Sequence, residues 1–174
     1  MKTPKKVITS VSGYQSVFSD ESAMDLLMMA YSGIKNKRIV ELCQRKGINA
    51  IGLSGIDGKL IQGIRNPGIK VNENNKTKII RDFSGKPKKV NRKLLDILLS
   101  NGFTPVICVP IIDENNFAIN SENDEIISVL QSELHADTVI NLIEAPGFLA
   151  DKDNEASVVG RLSCTDIIKK ENSS

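Results

Sequence analysis

Short apolar segments alternate with amphipathic stretches along most of this chain, and this alternation restricts the fold more than any other feature. The predicted strands comprise residues 48–53, 104–109 and 139–143. The predicted helices comprise residues 20–31, 35–46, 92–100 and 124–134, and Asn91 is the predicted N-cap of the third. In the second of these helices, Ile39, Leu42 and Cys43 form the predicted buried face. Strands that alternate with helices of roughly ten to fifteen residues are typical of parallel sheets, so we predict an α/β fold with a mostly parallel sheet and helices on both faces.

The composition bounds the class of protein. With 174 residues, 40% hydrophobic residues and a formal net charge of +2, the chain can bury one real core as a globular protein. Its N-terminal segment is basic and then only briefly apolar, and no apolar run approaches the ~18 residues of a membrane span, so we expect a cytoplasmic protein. Cys43, Cys108 and Cys164 are widely spaced and His135 is the single histidine, so neither a metal site nor a disulfide is predicted.

Polar residues gather in two loops of the C-terminal half. The loop 120–123 precedes a predicted helix, and the apolar segment 139–143 ends at Glu144 and a Pro-Gly turn. The apolar face of the helix comprises Ile126, Ile127, Leu130 and Leu134. In open α/β sheets, ligands bind beyond the carboxyl ends of strands, and helix N-termini attract anions. We therefore expect the functional site at the loop 118–124 and at the turn 144–147.

Gly52, Gly55 and Gly58 lie in and after the first predicted strand at three-residue spacing. Glycines in such a loop let backbone amides approach an anion, as in a phosphate-binding loop. However, no Gly-Lys-Ser/Thr is present, and residues 59–65 have the pattern of another strand instead of a helix. A tight turn between two strands is the alternative, and the missing context favours it.

Residues 65–93 are strongly basic, with ten Lys and Arg residues against two acidic residues, Glu73 and Asp82, a local balance of +8. Asn, Pro and Gly residues divide this stretch into short strand-like pieces, so we predict a basic hairpin arm within residues 59–93. Such a patch can bind nucleic acid, an anionic ligand or an acidic protein, or it can be solvated surface. Phe83 is its only aromatic residue, which makes nucleic acid the weakest of these interpretations.

Five motifs occur in a fixed order along the chain. They are Gly52-Leu-Ser-Gly-Ile-Asp-Gly58, Gly85-Lys-Pro-Lys-Lys-Val-Asn91, a leucine-rich helix ending at Gly102-Phe-x-Pro105, Ile119-Asn120-Ser-Glu-Asn-Asp124, and Leu142-Ile-Glu-Ala-Pro-Gly147. This ordered set resembles the amino acid kinase family. Within that family it is most similar to the acetylglutamate kinases and to the kinases that phosphorylate aminoadipate or glutamate held on an acidic carrier protein.

The resemblance implies an enzyme that uses ATP and Mg²⁺ to phosphorylate the side-chain carboxylate of an N-blocked acidic amino acid. The substrate would be acetylglutamate, or carrier-bound aminoadipate or glutamate, in arginine or lysine biosynthesis. The resemblance also implies a three-layer α/β/α sandwich, incomplete in this chain, that forms a homodimer. Phosphoryl transfer depends on positioning and positive charge, and the basic hairpin arm would receive the acidic carrier.

The motif match also implies roles for individual residues. Asp124 takes the place of the carboxylate that organises the catalytic lysines, and Asn120 takes the place of a residue that binds the substrate. Glu122 and Val17 stand at two further substrate-facing positions, where the family usually has Asn and Arg. Valine cannot replace the bidentate hydrogen bonds of an arginine clamp. The alternative for Asn120 and Asp124 is helix capping, which suits the same residue types.

The match further divides the chain into two lobes. Residues 1–117 would bind the amino acid and residues 118–174 would begin the nucleotide-binding lobe, where Glu144, at a position usually occupied by Asp, and Gly147 match the strand end that receives the nucleotide. Family members open with a Val-Lys-x-Gly-Gly strand and close with a Gly-Met-x-x-Lys segment, and neither pattern is found here. Both catalytic lysines are thus missing, and we expect a chain truncated at both ends.

Three hypotheses about function remain open. The first is a fragment or diverged copy of an amino acid kinase that forms an acyl phosphate, with or without activity as this chain. The second is a non-catalytic binding or regulatory relative that pairs with a complete kinase subunit. The third is a nucleic-acid-binding domain that uses the basic hairpin arm, and its affinity would fall steeply with salt.

Overall fold

The computed structural model describes residues 7–9, 15–73, 76–151 and 153–171. The chain divides into two compact units, Met1–Ala136 and Asp137–Ser174. The first unit extends past the predicted lobe boundary after residue 117, because the helix that follows this boundary contributes Ile126 to the core of the first unit. The assignment of the two lobes to amino acid and nucleotide stays a prediction.

One long helical stretch comprises α1 (Glu21–Leu27), a π-helical segment (Met28–Lys35) and α2 (Asn36–Arg45). Asp20 caps α1, since its Oδ1 accepts a hydrogen bond from the Ala23 N–H at 2.9 Å. The predicted break between two separate helices is wrong. The wider hydrogen-bonding pattern of a π-helix carries the backbone through Gly33 without a turn.

The π-helical segment also changes which face of α2 is buried. Ile39 and Leu42, which helical spacing predicts to be inside, are 49% and 54% exposed, whereas Asn36 is only 2% exposed. A π-helical turn contains more residues than an α-helical turn, so it rotates the following residues around the helix axis. Asn36 Nδ2 donates to Val106 O at 2.8 Å and to Leu53 O at 3.4 Å, so α2 is fixed to the strands beneath it.

Those strands are β3 (Ala50–Ser54) and, later in the chain, β8 (Thr104–Cys108), which pair in parallel. After β3 the chain makes a 3-10 turn over Asp57–Lys59, and Asp57 Oδ2 accepts a hydrogen bond from the Ser54 N–H at 2.7 Å. The next element is a strand that begins at Ile61. The tight turn predicted for the glycine-rich segment is therefore confirmed.

A four-stranded sheet forms the other part of the first unit. Its strands are β4 (Ile61–Arg65), β7 (Gly85–Val90), β9 (Ile111–Ile112) and β10 (Ala118–Ile119), in the order β10-β9-β4-β7. β4 is antiparallel to β7 and parallel to β9, and β9 is antiparallel to β10. Between β4 and β7, strands β5 (Ile69–Glu73) and β6 (Lys76–Ile80) form the predicted hairpin. A separate antiparallel pair comprises β1 (Val7–Thr9) and β2 (Gln15–Val17).

Helices α3 (Arg92–Ser100) and α4 (Asn123–Leu134) complete the first unit. Asn91 caps α3 as predicted, and its Oδ1 accepts from the Leu94 N–H at 3.2 Å. The core comprises Leu60, Ile61, Val90, Leu95, Val109, Ile111, Ile119 and Ile126. The predicted α/β fold, with parallel strand pairing and covering helices, is confirmed. Among the described residues, none of the helices combines the length and the apolar character that crossing a bilayer requires.

The second unit contains α5 (Cys164–Glu171) and an antiparallel bridge between Leu149 and Val158. The prediction of a strand at residues 139–143 is wrong. Within this segment Ile140 and Leu142 are 79% and 95% exposed, and no strand is formed. A strand that is buried on both faces needs neighbouring strands along its edges, and no described strand pairs with this segment.

Candidate active site

Asn120 lies immediately after β10, beside the start of β7. Its N–H donates to Phe83 O at 2.7 Å, and its carbonyl accepts from the Gly85 N–H at 2.9 Å. The tight turn before β10 sets this position, because Asp113 Oδ1 accepts from the Phe117 N–H at 2.8 Å. The Asn120 side chain is half-buried and makes no hydrogen bond within the described ranges, so its amide group is available to a ligand.

Helix α4 presents Asp124 in its first turn. The N-cap residue is Glu122, whose side chain makes no capping hydrogen bond. Asp124 is exposed and Ile126, one half-turn later, is 7% exposed in the core, so packing fixes the helix and leaves the carboxylate outside. Neither Asn120 nor Asp124 caps the helix, and the capping alternative for these two residues is therefore wrong.

A groove of about 410 Å³ lies between β7 and the N-terminal half of α4. Its lining comprises Lys86, Pro87, Lys88, Asp124, Glu125, Ser128 and Val129. Alternate residues of a strand share one face, and so do residues four apart on a helix. Lys86 and Lys88 of β7 therefore line the same groove as Asp124 and Ser128 of α4. The predicted catalytic carboxylate thus shares a groove with two lysines.

The charges in this groove are only partly paired. Lys86 Nζ lies 3.2 Å from Glu125 Oε1, and the two side chains are 62% and 36% exposed. An ion pair as exposed as this one stabilises a fold by only about 0–1 kcal/mol. Lys88 and Asp124 form no ion pair with any residue in the described part of the chain. Lys88 can therefore face a phosphoryl oxygen, and Asp124 can orient a neighbouring cation.

A second polar cluster lies at the base of the basic hairpin arm. Arg65 stacks on Phe83, with its guanidinium carbon 4.1 Å from the ring centroid, and its Nε donates to Asp82 O at 2.7 Å. The backbone N–H of Arg65 donates to Glu114 Oε2 at 3.1 Å. Hydrogen bonds from the backbone N–H groups of Glu114 itself and of Arg65 lower the pKa of the Glu114 carboxyl. Arg65 is thus a structural residue of the arm.

The remaining predicted site residues belong to β2 and to the second unit. Val17 is the last residue of β2, and the structure describes its backbone but not its side chain. Glu144 and Gly147 belong to the second unit, where Glu144 is exposed and Gly147 has a φ of +139°. The structure therefore brings Asn120, Glu122 and Asp124 into one loop and helix start. The roles of all these residues in binding stay predictions.

Several polar residues at this edge were missed by the sequence analysis. Lys86 and Lys88 line the groove, Asp82 is 2% exposed, and Ser121 Oγ is buried without a hydrogen-bond partner among the described residues. Strand alternation could have placed both lysines on one face, and an isolated acid inside a basic stretch could have drawn attention to Asp82. No local pattern distinguishes Ser121. In the described ranges, no three His, Cys, Asp or Glu side chains are placed to hold a metal ion together.

The parallel strand pair, the covering helices and the charged groove beside α4 describe an α/β protein with a candidate ligand site at the start of a helix. The chain belongs to the amino acid kinase family, because the model of that family matches residues 3–174. The fold also resembles a solved structure, smu.665 from Streptococcus mutans UA159. The TM-score is 0.72 at 14% identity, with 98% of this chain and 62% of that chain covered.

The curated relatives that the chain matches are named as two kinds of kinase. The chain is 41% identical over 157 residues to the [LysW]-aminoadipate kinase of Thermus thermophilus, covering 90% of this chain and 58% of the relative. It is 38% identical to the [LysW]-aminoadipate kinase of Deinococcus radiodurans, covering 94% and 56%, and 30% identical to the acetylglutamate kinase of Methanopyrus kandleri, covering 86% and 59%. The chain therefore spans less than two thirds of the length of these relatives.

Proposed function

We propose that this chain is part of a cytoplasmic kinase that phosphorylates the side-chain carboxylate of aminoadipate or glutamate held on an acidic carrier protein, in lysine or arginine biosynthesis. Acetylglutamate is the second substrate class. The observation that carries the proposal is the family match over residues 3–174, combined with the presence of Asp124, Lys86 and Lys88 in one groove. The names of the relatives from Thermus and Deinococcus favour the carrier-linked substrate.

The proposed reaction transfers the γ-phosphoryl group of ATP. A carboxylate oxygen of the substrate forms a bond to the γ-phosphorus while the bond to the β–γ bridging oxygen breaks, so the products are an acyl phosphate and ADP. Little covalent help is needed from the protein, and stabilisation of charge dominates such catalysis. In this chain the Lys88 ammonium would contact the phosphoryl group during its transfer. The Asp124 carboxylate would hold neighbouring cationic side chains in place. Mg²⁺ would arrive bound to the phosphates of ATP and neutralise part of their charge.

The substrate would lie along the loop before α4. Asn120 has an unbonded amide side chain that can donate to and accept from the amino acid, and Glu122 and Val17 are the two further substrate-facing positions. Glu144 and Gly147 would receive the nucleotide. Each of these roles is carried over from the family match, and the availability of the Asn120 side chain supports the first of them.

The basic hairpin arm would bind the acidic carrier. Exposed cations of its β5–β6 hairpin and of the residue that follows it include Lys70, Lys76, Lys78 and Arg81. Complementary charge of this kind accelerates encounter between proteins and orients the partner. A nucleic-acid partner is less well supported, because one face of Phe83, the only aromatic ring of the arm, is covered by Arg65 and cannot stack on a base.

A second candidate function is a non-catalytic binding or regulatory relative. The replacements noted at Val17, Glu122 and Glu144 favour it, since they alter three positions that would face ligands. Such a protein would pair with a complete kinase subunit, whereas the enzyme would form a homodimer. Both modes of assembly stay predictions, and sedimentation of the purified chain alone and with a complete kinase distinguishes them.

Trapping of the acyl phosphate tests the proposed function. The chain is purified as part of a complete kinase, with the flanking sequence that carries the family's two catalytic lysines restored. It is incubated with ATP, Mg²⁺, hydroxylamine and either LysW-aminoadipate, LysW-glutamate or N-acetylglutamate, and the hydroxamate formed is measured. We expect product from a LysW-linked substrate, and Asp124→Asn should lower the rate by about 10²-fold or more, as when an electrostatic catalytic group is removed. Asp96→Asn is the matched control, because Asp96 is an exposed residue of α3 whose carboxylate forms an exposed ion pair with Arg92.

The outcomes separate the two candidate functions. Hydroxamate formation that depends on Asp124 and not on Asp96 supports the kinase. Binding of LysW without any turnover supports the non-catalytic relative. Equal rates in the wild type and the Asp124→Asn variant would contradict the role of Asp124.

A further inference from the structure

The segment Asp82–Gly85 joins the basic hairpin arm to the candidate active site. It begins two residues after the end of β6, which is the second strand of the arm. The Phe83 N–H donates to Ser19 O at 2.7 Å, Phe83 O accepts from the Asn120 N–H at 2.7 Å, and the Gly85 N–H donates to Asn120 O at 2.9 Å. The predicted substrate-binding residue Asn120 and the chain that follows Val17 are therefore both attached to the base of the arm.

Asp82 holds this segment in place. Its side chain is almost completely buried, at 2% exposure, although it lies within the most basic stretch of the sequence. Oδ1 accepts hydrogen bonds from Ser84 Oγ at 2.6 Å and from the Ser84 N–H at 3.2 Å, and Oδ2 accepts from the Ser19 N–H at 3.4 Å. A carboxylate tolerates such burial only when donors replace its water, and here three donors do so.

Three further contacts hold the segment in place. Arg65 Nε donates to the backbone carbonyl of Asp82 and its guanidinium covers the Phe83 ring. Asn66 Nδ2 donates to Ser84 Oγ at 2.9 Å, so the hydroxyl that binds Asp82 is itself fixed. A displacement at the end of β6 must therefore move Phe83 and Ser84 together, and through them Asn120.

We propose that Asp82 is a positioning residue that couples the basic hairpin arm to Asn120, so that an acidic partner on the arm changes the affinity of the amino acid site. This inference rests on the proposed function, since it takes the arm as the site of the acidic partner. Coupling between two binding sites is reciprocal, so occupancy of the amino acid site changes the affinity of the arm by the same factor.

The coupling is tested with Asp82→Asn. Asparagine has nearly the same shape but a single acceptor oxygen, so it cannot accept from both Ser19 and Ser84. Asp96→Asn again serves as the matched control. Ser84→Ala is the milder second variant, because it removes the shortest hydrogen bond to Asp82 and leaves the backbone donors in place.

The measurement is a backbone amide NMR titration of each protein with a short poly-L-glutamate peptide, with and without N-acetyl-L-glutamate. In the wild type and in Asp96→Asn, we expect the peptide to shift amides of the arm and also those of Asn120 and Ser121. Peptide at saturation should change the affinity for N-acetyl-L-glutamate by about fivefold or more. In Asp82→Asn, the arm amides should respond with unchanged peptide affinity, while the response at Asn120 and the change in affinity disappear. Ser84→Ala should lie between these results.

The outcomes separate this inference from the proposed function. An Asn120 response in Asp82→Asn equal to that of the wild type overturns the positioning role. An arm response in the wild type without any response at Asn120 overturns the coupling alone and leaves the arm as a partner surface. If no arm amide of the wild type responds to the peptide, the acidic partner and the coupling both fail. Loss of peptide binding in Asp82→Asn would show that Asp82 only maintains the fold of the arm, which also overturns the proposal.

Discussion

Gly85, the first residue of β7, is paired with Arg65 of β4 and bonds to Asn120, the residue after β10. A Cβ atom at this position would be 2.5 Å from Ile119 Cδ1 and 2.5 Å from Ile64 O. The Ile64 carbonyl belongs to the backbone of β4 and cannot rotate away, so an added methyl group would force the strands apart. Since the Gly85 N–H also bonds to Asn120 O, this glycine sets the spacing between the arm base and the candidate active site.

Substitution of Gly85 by alanine should lower the free energy of unfolding by about 1–3 kcal/mol, the usual cost of overpacking. Gly33→Ala is the matched control, because a Cβ there would lie 3.8 Å from Met28 O, an ordinary van der Waals separation. Alanine restricts the conformations of the unfolded chain, so the free energy of unfolding of this variant should rise by roughly 0.5–1 kcal/mol. Urea denaturation followed by circular dichroism gives both values. Equal changes in the two variants would contradict the crowding at Gly85.

At the scale of single residues, the sequence predicts local chemistry better than tertiary contacts. The cap at Asn91 follows from its place before a run of leucines, because capping depends on a few neighbouring residues. The burial of Asn36 depends on the carbonyls of Leu53 and Val106, which lie far away in sequence, so no local pattern indicates it. Asp82 accepts two hydrogen bonds from nearby Ser84, but its third donor, Ser19, is distant in sequence. Asn120 and Asp124 fall between these cases: the resemblance to the family predicts roles for them, and the structure shows that neither caps α4.

At the scale of elements, α3 is held by a cap with two functions. Asn91 Oδ1 accepts from the Leu94 N–H at 3.2 Å, and Asn91 Nδ2 donates to Gly58 O at 2.8 Å. The first bond begins the helix, and the second joins it to the turn after β3. The two bonds can be separated because aspartate keeps the acceptor and lacks the donor.

Asn91→Ala should lower the free energy of unfolding by about 1–2 kcal/mol, as for the loss of an N-cap. Asn91→Asp should recover the larger part of this loss, since the cap to Leu94 remains. Thermal and urea unfolding of both variants against the wild type measure the difference. If aspartate is as destabilising as alanine, the bond to Gly58 and not the cap carries the effect.

Elements with a strong local pattern were predictable, and those that depend on neighbours were not. The hairpin of the basic arm and helix α4 follow from turn residues and from helical spacing. The continuous helix from Glu21 to Arg45 was not predicted, because the π-helical segment changes the period of the apolar positions. Residues 139–143 have the composition of a strand, but a strand also requires a pairing partner, and composition does not supply one.

At the scale of the whole molecule, the division into two units explains why the predicted α/β fold is confirmed although one of the predicted strands does not form. The four-stranded sheet and the parallel pair of the first unit have their partners within residues 1–136. The apolar segment 139–143 belongs to the second unit, whose described elements are one helix and one bridge. The family match covers both units, so membership of a family does not ensure that each expected strand is paired in this chain.

The exposure of this segment predicts its effect on solubility. Ile140, Leu142 and Ile143 are 79%, 95% and 65% exposed. A short uncharged segment of β-branched and apolar residues without proline promotes association between chains. Leu142→Lys should therefore raise the concentration at which the protein begins to aggregate, and it should change the free energy of unfolding by no more than about 0.5 kcal/mol, as for a surface substitution.

Light scattering against protein concentration and urea unfolding test both parts of this prediction. Ile126→Lys is the control, because Ile126 is 7% exposed in the core of the first unit and a buried lysine there should prevent stable folding. If Leu142→Lys instead lowers the free energy of unfolding by more than about 1 kcal/mol, the Leu142 side chain is buried in the folded protein. Burial of a charge is a strongly destabilising change, so that result would contradict the exposure of residues 139–143 in the second unit.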